Sequence, residues 1–104
     1  MEFLVQFALD IPEVVPESEI EDRESAEAAA AKTLADDGHL VRLWRASIGD
    51  GPMTALGLYR ADSKAELDAL LAALPLYEWL RISITMLDPH PNDPLGPSNG
   101  PNSL

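Results

Sequence analysis

An α+β fold with four strands and two helices in the order β-α-β-β-α-β is what this 104-residue chain predicts. Three observations predict it. Apolar residues alternate with period two in four separate places, and two segments between them carry helical spacing, each headed by a Ser-x-x-Glu pattern. A Gly- and Pro-rich cluster joins the second and third alternating segments into a hairpin. That order is the split-βαβ, ferredoxin-like unit: an antiparallel sheet with both helices on one side.

The first strand is read over residues 2–10, where Phe3, Val5, Phe7 and Leu9 alternate with Glu2, Gln6 and Asp10. Pro12 and Pro16 end it. Ser18 and Glu21 form a capping-box pattern that opens the first helix, which runs to Gly38, a natural residue just past a helix end. The second strand covers 39–47 and meets the turn cluster Gly49-Asp50-Gly51-Pro52; the third covers 53–60. Ser63 and Glu66 repeat the capping box, and Leu67, Leu70, Leu71 and Leu74 follow at i, i+3, i+4 and i+7 until Pro75 stops the second helix. The fourth strand, 79–87, sets Leu80, Ile82, Ile84 and Met86 on one face. Beyond it Pro89, Pro91, Pro94, Pro97 and Pro101 with Asn and Gly suit neither helix nor sheet. The expected organisation is one domain over 1–90 and a Pro/Asn/Gly-rich tail over 91–104.

One face of such a sheet stays uncovered by helices. Alternation puts Leu4 and Ala8 opposite Phe3, Val5 and Phe7, and puts Met53, Ala55 and Gly57 opposite Leu56 and Leu58. Both faces are apolar, so the open one is expected to be covered by a second copy of the chain or to enclose a ligand cavity, and a homodimer is the economical solution.

Composition narrows the function. Eighteen acidic residues against seven basic ones give a formal charge of −11, with no basic cluster, which argues against nucleic acid and anionic membranes as partners. The absence of cysteine removes disulfides, thiolate nucleophiles and cysteine metal sites. The two histidines, His39 and His90, lack a His or carboxylate partner at metal-site spacing, so chemistry without metal or cofactor is expected. With no targeting pattern and no long apolar run, the expected location is the cytoplasm.

Glu27 stands out. It lies mid-way along the apolar stripe of the first helix, with Ile20, Ala30, Ala31 and Leu34 projecting within roughly 60° of it. Burial there disfavours the ionised carboxylate and brings a glutamate toward the range of a general base. The competing reading is an Arg23–Glu27 ion pair at i,i+4 on a partly exposed helix.

The run Gly38-His39-Leu40-Val41-Arg42-Leu43-Trp44-Arg45, Glu27 eleven positions before that glycine, Leu74-Pro75-Leu76 after the second helix, Trp79 and His90-Pro91 together resemble the muconolactone Δ-isomerase family. The resemblance reaches to about Pro94. It implies a dimeric α+β barrel, assembly of dimers into larger rings such as decamers, and cofactor-independent isomerisation of muconolactone to 3-oxoadipate enol-lactone in the catechol branch of the β-ketoadipate pathway. That reaction needs a base to shuttle a proton, a donor for the dienolate oxygen and a cation for the substrate carboxylate. Glu27 suits the first role and Arg45 the last, with a strand-edge salt bridge as the alternative for Arg45. Tyr59 and His39 are candidate donors to the oxygen, His39 competing with an exposed strand end.

Trp44 is a candidate pocket wall or a core or interface residue; strand parity sends it and Arg45 to opposite faces unless a bulge intervenes. Trp79 is expected under the second helix or at a subunit contact, and His90 at a backbone contact where the chain leaves the domain. Two departures from the family pattern bear on the substrate and leave the fold alone: Ala28 stands where a lysine is common, and Pro52-Met53-Thr54-Ala55 replaces a Tyr-Ala-Asn-Tyr-like run. The remaining alternatives are a related isomerase or dehalogenase-like member acting on another lactone or a biosynthetic intermediate, and a small-molecule-binding barrel without turnover.

Overall fold

The computed structural model describes residues 1–47 and 54–96. The expected turn at Gly49, Asp50, Gly51 and Pro52, the expected strand start at Met53 and the tail beyond residue 96 lie outside the described residues.

The elements follow the expected order: β1 Glu2–Leu9, α1 Glu17–Asp36, β2 Leu40–Ala46, β3 Thr54–Arg60, α2 Lys64–Ala72, a 3₁₀ turn Tyr77–Trp79, and β4 Leu80–Leu87. The strands pair antiparallel in the spatial order β2-β3-β1-β4. Phe3, Val5, Phe7 and Tyr59 on one face pack against Leu34 of α1 and Leu67 and Leu71 of α2, so both helices cover the same side. Among the described residues no helix is long and apolar enough to cross a membrane.

Three local features position the site. First, α1 starts at Glu17, ahead of the Ser18 cap read from sequence. The Pro16 carbonyl takes the first helical bonds, from Glu19 N–H at 3.0 Å and Ile20 N–H at 3.2 Å, and no side chain caps the end. Pro16 has the extended backbone that a residue before a helix adopts, and Glu17 and Glu19 complement the dipole. The other end closes as a Schellman motif: His39 N–H reaches the Leu34 carbonyl at 2.8 Å and Gly38 N–H the Ala35 carbonyl at 3.1 Å, with Gly38 at a φ of 83° that favours glycine.

Second, the capping box of α2 forms as expected in its forward half, Glu66 N–H donating to Ser63 Oγ at 3.1 Å. The Glu66 carboxylate reaches back one residue further than expected, to Asp62 N–H at 2.9 Å. Third, β2 carries a bulge. Leu40 pairs with Tyr59 and Arg42 with Leu58, which leaves Val41 without an opposite number.

Trp79 ends the 3₁₀ turn rather than starting β4, and its side chain is buried beneath the Arg23 guanidinium, 4.4 Å from the ring centre. His90 does make a backbone contact, a local one: Asn92 N–H donates to its Nδ1 at 2.9 Å.

Candidate functional site

A cavity of about 620 Å³ opens between α1 and the helix-covered face of the sheet. Phe7, Leu40, Leu74 and Leu80 make most of its wall apolar, while Glu27, Tyr59, Arg45 and Glu24 supply polar groups and Thr54 borders it at the start of β3. Leu9 and Leu43, which also line it, are exposed.

Glu27 enters this cavity from α1. Its Oε1 accepts the Leu76 N–H at 3.0 Å, while no described residue bonds its other oxygen, which is accessible. Desolvation by burial raises its carboxyl above the ordinary 4.5, and the bond from Leu76 opposes that rise. The i,i+4 pair with Arg23 does not form. Arg23 turns instead to Glu19 at 3.6 Å, to Glu78 and to the Pro75 carbonyl.

Tyr59 faces Glu27 from β3. Burial, and next the Glu27 charge, push its phenol up to about 12, so it stays a donor at any ordinary pH. Its ring is held by Phe7, at 6.0 Å between centres, and by the bare backbone of Gly57. A Cβ at Gly57 would lie 2.5 Å from Tyr59 Cε1, closer than such atoms approach, so glycine is required here for space. No described residue bonds the Tyr59 hydroxyl, which is therefore accessible to a ligand.

The bulge settles which of Arg45 and Trp44 lines the cavity. Because Val41 is extra, Leu40, Leu43 and Arg45 share the face of Tyr59, Gly57 and Ala55, while Arg42, Trp44 and Ala46 share the open face with Leu58, Leu56 and Thr54. Arg45 lines the cavity and has no ion-pair partner among the described residues. Trp44 as pocket wall is corrected by this parity: it lies outside the cavity, 38% exposed, with the Arg42 guanidinium 5.1 Å from its ring centre.

His39 is also absent from the cavity lining. Its Nδ1 lies 2.8 Å from the Arg60 carbonyl, which can only accept, so that nitrogen donates and the ring is tied to the strand end. Two contributors escaped the sequence reading. Glu24 lies three residues before Glu27, a spacing that places both on one side of α1 and could have flagged it. The Leu76 N–H is a backbone donor from a distant loop, which carries no residue-type signal.

This is an apolar chamber lined by two carboxylates, Glu27 and Glu24, one neutral phenol and one guanidinium. It suits proton abstraction next to a carbonyl in a small anion. The family model for muconolactone Δ-isomerase matches residues 1–93. The chain belongs to the muconolactone Δ-isomerase family.

Similar family members include the muconolactone Δ-isomerase of Cupriavidus pinatubonensis (strain JMP 134 / LMG 1197), 29% identical over 92 residues that cover 88% of this chain and 97% of that one. Muconolactone Δ-isomerase 1 of Acinetobacter lwoffii is 28% identical over 92 residues, covering 88% and 93% respectively. Among solved structures, a muconolactone isomerase matches with a TM-score of 0.79 at 22% identity, over 93% of this chain and 98% of that one. The 5-chloro-2-hydroxyhydroquinone dehydrochlorinase of Burkholderia phenoliruptrix AC1100, in complex with 2,5-dihydroxybenzoquinone, matches with a TM-score of 0.62 at 16% identity, over 89% and 99%. At these identities the two structures establish the fold that this muconolactone Δ-isomerase family member shares, the α+β unit expected from its sequence.

Proposed function

We propose that the protein is a cofactor-independent isomerase that moves a double bond within a small unsaturated lactone, and that its substrate is muconolactone, converted to 3-oxoadipate enol-lactone in cytoplasmic catechol degradation. The observation that carries this reading is the approach of Glu27 and Tyr59 across one apolar cavity, a base with raised proton affinity facing a phenol that stays protonated. Family membership supports the reaction class.

The proposed steps give each of these groups one role. The accessible oxygen of Glu27 removes the proton from the ring carbon that carries the carboxymethyl arm, and the electron pair delocalises through the double bond onto the lactone carbonyl oxygen. Tyr59 donates a hydrogen bond to that oxygen as charge builds on it. Glu27, now protonated, returns the proton to the carbon beside the carbonyl, and the double bond has moved by one position. Arg45 pairs with the substrate carboxylate and fixes the ring's orientation. The apolar walls keep water from competing for either proton transfer.

Proton NMR of muconolactone in D₂O tests this directly. Wild-type protein is expected to form the enol-lactone, and Glu27→Gln to slow it by at least about 10²-fold while remaining folded. Turnover untouched by Glu27→Gln would remove Glu27 as the base, and no turnover by wild type would remove muconolactone as the substrate.

Ala28 favours a second reading, in which the same proton shift acts on a different lactone. It lines the cavity at the position where a lysine is common in the family, so the chamber presents one cation fewer to its substrate. Self-association belongs to the proposal as well. Leu4, Leu56, Leu58 and Trp44 make an apolar band on the sheet face that neither helix covers, and a second copy is the occupant we assign to it.

A further inference from the structure

The peptide group between Pro75 and Leu76 is held at both ends by one helix. Arg23 Nη1 donates to its carbonyl at 3.2 Å, and Glu27 Oε1 accepts its N–H at 3.0 Å. The C=O and N–H of a trans peptide point in opposite directions, and residues four apart on a helix are separated by about 6 Å along its axis, so one turn of α1 spans the peptide as a clamp. We infer that Arg23 is a positioning residue for the base, one that sets the orientation and proton affinity of Glu27 through the Pro75–Leu76 peptide rather than by pairing with it. The inference rests on Glu27 being the base of the proposed reaction.

Arg23 is itself fixed from three sides. It pairs with Glu78, lies 3.6 Å from Glu19 and covers the Trp79 ring. A guanidinium bonded to a carbonyl polarises the amide and strengthens its N–H as a donor, an effect on the order of 10–30% per bond. The stronger donor favours the ionised carboxylate, offsetting part of the rise that burial imposes. The bond also immobilises one carboxylate oxygen and leaves the other for the substrate.

The other ionisable groups around Glu27 are few. Glu24 lies beside it on α1, Tyr59 faces it from β3, Arg45 from β2, and Glu78 stands behind Arg23 in the 3₁₀ turn. β1 and β4 present only Phe7, Leu9 and Leu80 to the cavity. None of these groups touches the Pro75–Leu76 peptide through a side chain; removing Arg23 changes the donor to Glu27 and also frees Glu78 and Glu19 from their pairing with it, a change that Arg23→Lys limits by keeping the charge.

The test is a ¹³C titration of the Glu27 side-chain carboxyl, assigned by its loss in Glu27→Gln, in wild type, Arg23→Met and Arg23→Lys. Methionine keeps a stem over Trp79 and loses the charge and the donor; lysine keeps both. Arg23→Met is expected to raise the proton affinity of Glu27 roughly threefold to tenfold, and Arg23→Lys to return most of the difference. The amide shift of Leu76 in wild type should follow the same titration, a reading that requires no variant to fold.

An unchanged Glu27 titration in folded Arg23→Met overturns the inference, as does an equal shift in both variants or a Leu76 amide that ignores Glu27. In the turnover assay the acidic limb of kcat should move up in Arg23→Met with KM little changed. Absence of turnover in wild type would count against the proposed reaction alone, because the titration needs no substrate.

Discussion

At the scale of single residues, the ionised form of Glu27 opposes folding, and the proposed role as a base draws on the same burial. Burial raises its carboxyl above 4.5, so the folded chain binds that proton more tightly than the unfolded chain does. Stability from this group is therefore full below the unfolded value and is lost as pH rises through the folded one. Glu27→Gln, which keeps the neutral form, is expected to be more stable than wild type at about pH 7, by less than about 1 kcal/mol given the partial exposure of the site, and no more stable near pH 4. Thermal melts at the two pH values check it. Tyr59 has the same sign in the alkaline range: stability held below the ordinary 10.0 is lost as pH rises through about 12. Tyr59→Phe should remove the phenolate absorbance that appears there and slow turnover by about 10²–10³-fold.

Gly57→Ala should act through the same hydroxyl, since its Cβ would meet the Tyr59 ring at 2.5 Å. A drop in kcat of about tenfold or more is expected, with KM less affected. In a Tyr59→Phe background the added methyl should cost much less, because the residue it displaces has already lost its role. Much of this was legible in the chain. Helical spacing exposed Glu27, and strand alternation parted Gly57 from Leu56 and Leu58; the pairing then sets Gly57 and Tyr59 together on the helix-covered side. The Arg23 contacts were not, since a local i,i+4 partner competes on paper with a loop fifty residues away that only packing brings near.

At the scale of elements, the four strands and two helices were readable from period alone, and the errors sit at their ends. α1 opens one residue before Ser18 because a proline carbonyl can start a helix as well as a side chain can cap one, and pattern cannot rank the two. The Ser63 cap is real, and Ser63→Ala should cost about 1 kcal/mol in chemical denaturation, with turnover unchanged because α2 adds only Leu74, just past its end, to the cavity wall. A loss near zero would mean that the Glu66 contact with Asp62 N–H holds the helix start alone. A bulge was considered only as a way to bring Trp44 and Arg45 to one face; the one at Val41 precedes both, keeps them on opposite faces and could not be located in advance, because an extra residue leaves the apolar count of the strand unchanged.

At the scale of the molecule, a sheet covered on one side and a charge of −11 pull in opposite directions. The band formed by Leu4, Leu56, Leu58 and Trp44 favours pairing of two copies, while the shared negative charge resists it. Sedimentation equilibrium is expected to show a multiple of the chain mass that strengthens as salt screens the repulsion. Leu58→Glu, at the centre of the band, should return the protein to the mass of one chain; an unaltered mass would place the contact elsewhere. Val41 has a consequence for how such a molecule diversifies. Absorbing that residue into a regular ladder, with Val41 opposite Leu58, would act as a frameshift within the strand, exchanging every side chain from 42 to 46 between the two surfaces. Trp44 would look into the chamber and Arg45 out of it, replacing a guanidinium by a flat apolar ring in its wall. On this scaffold one change of register is a shorter route between two cavity linings than any series of point substitutions.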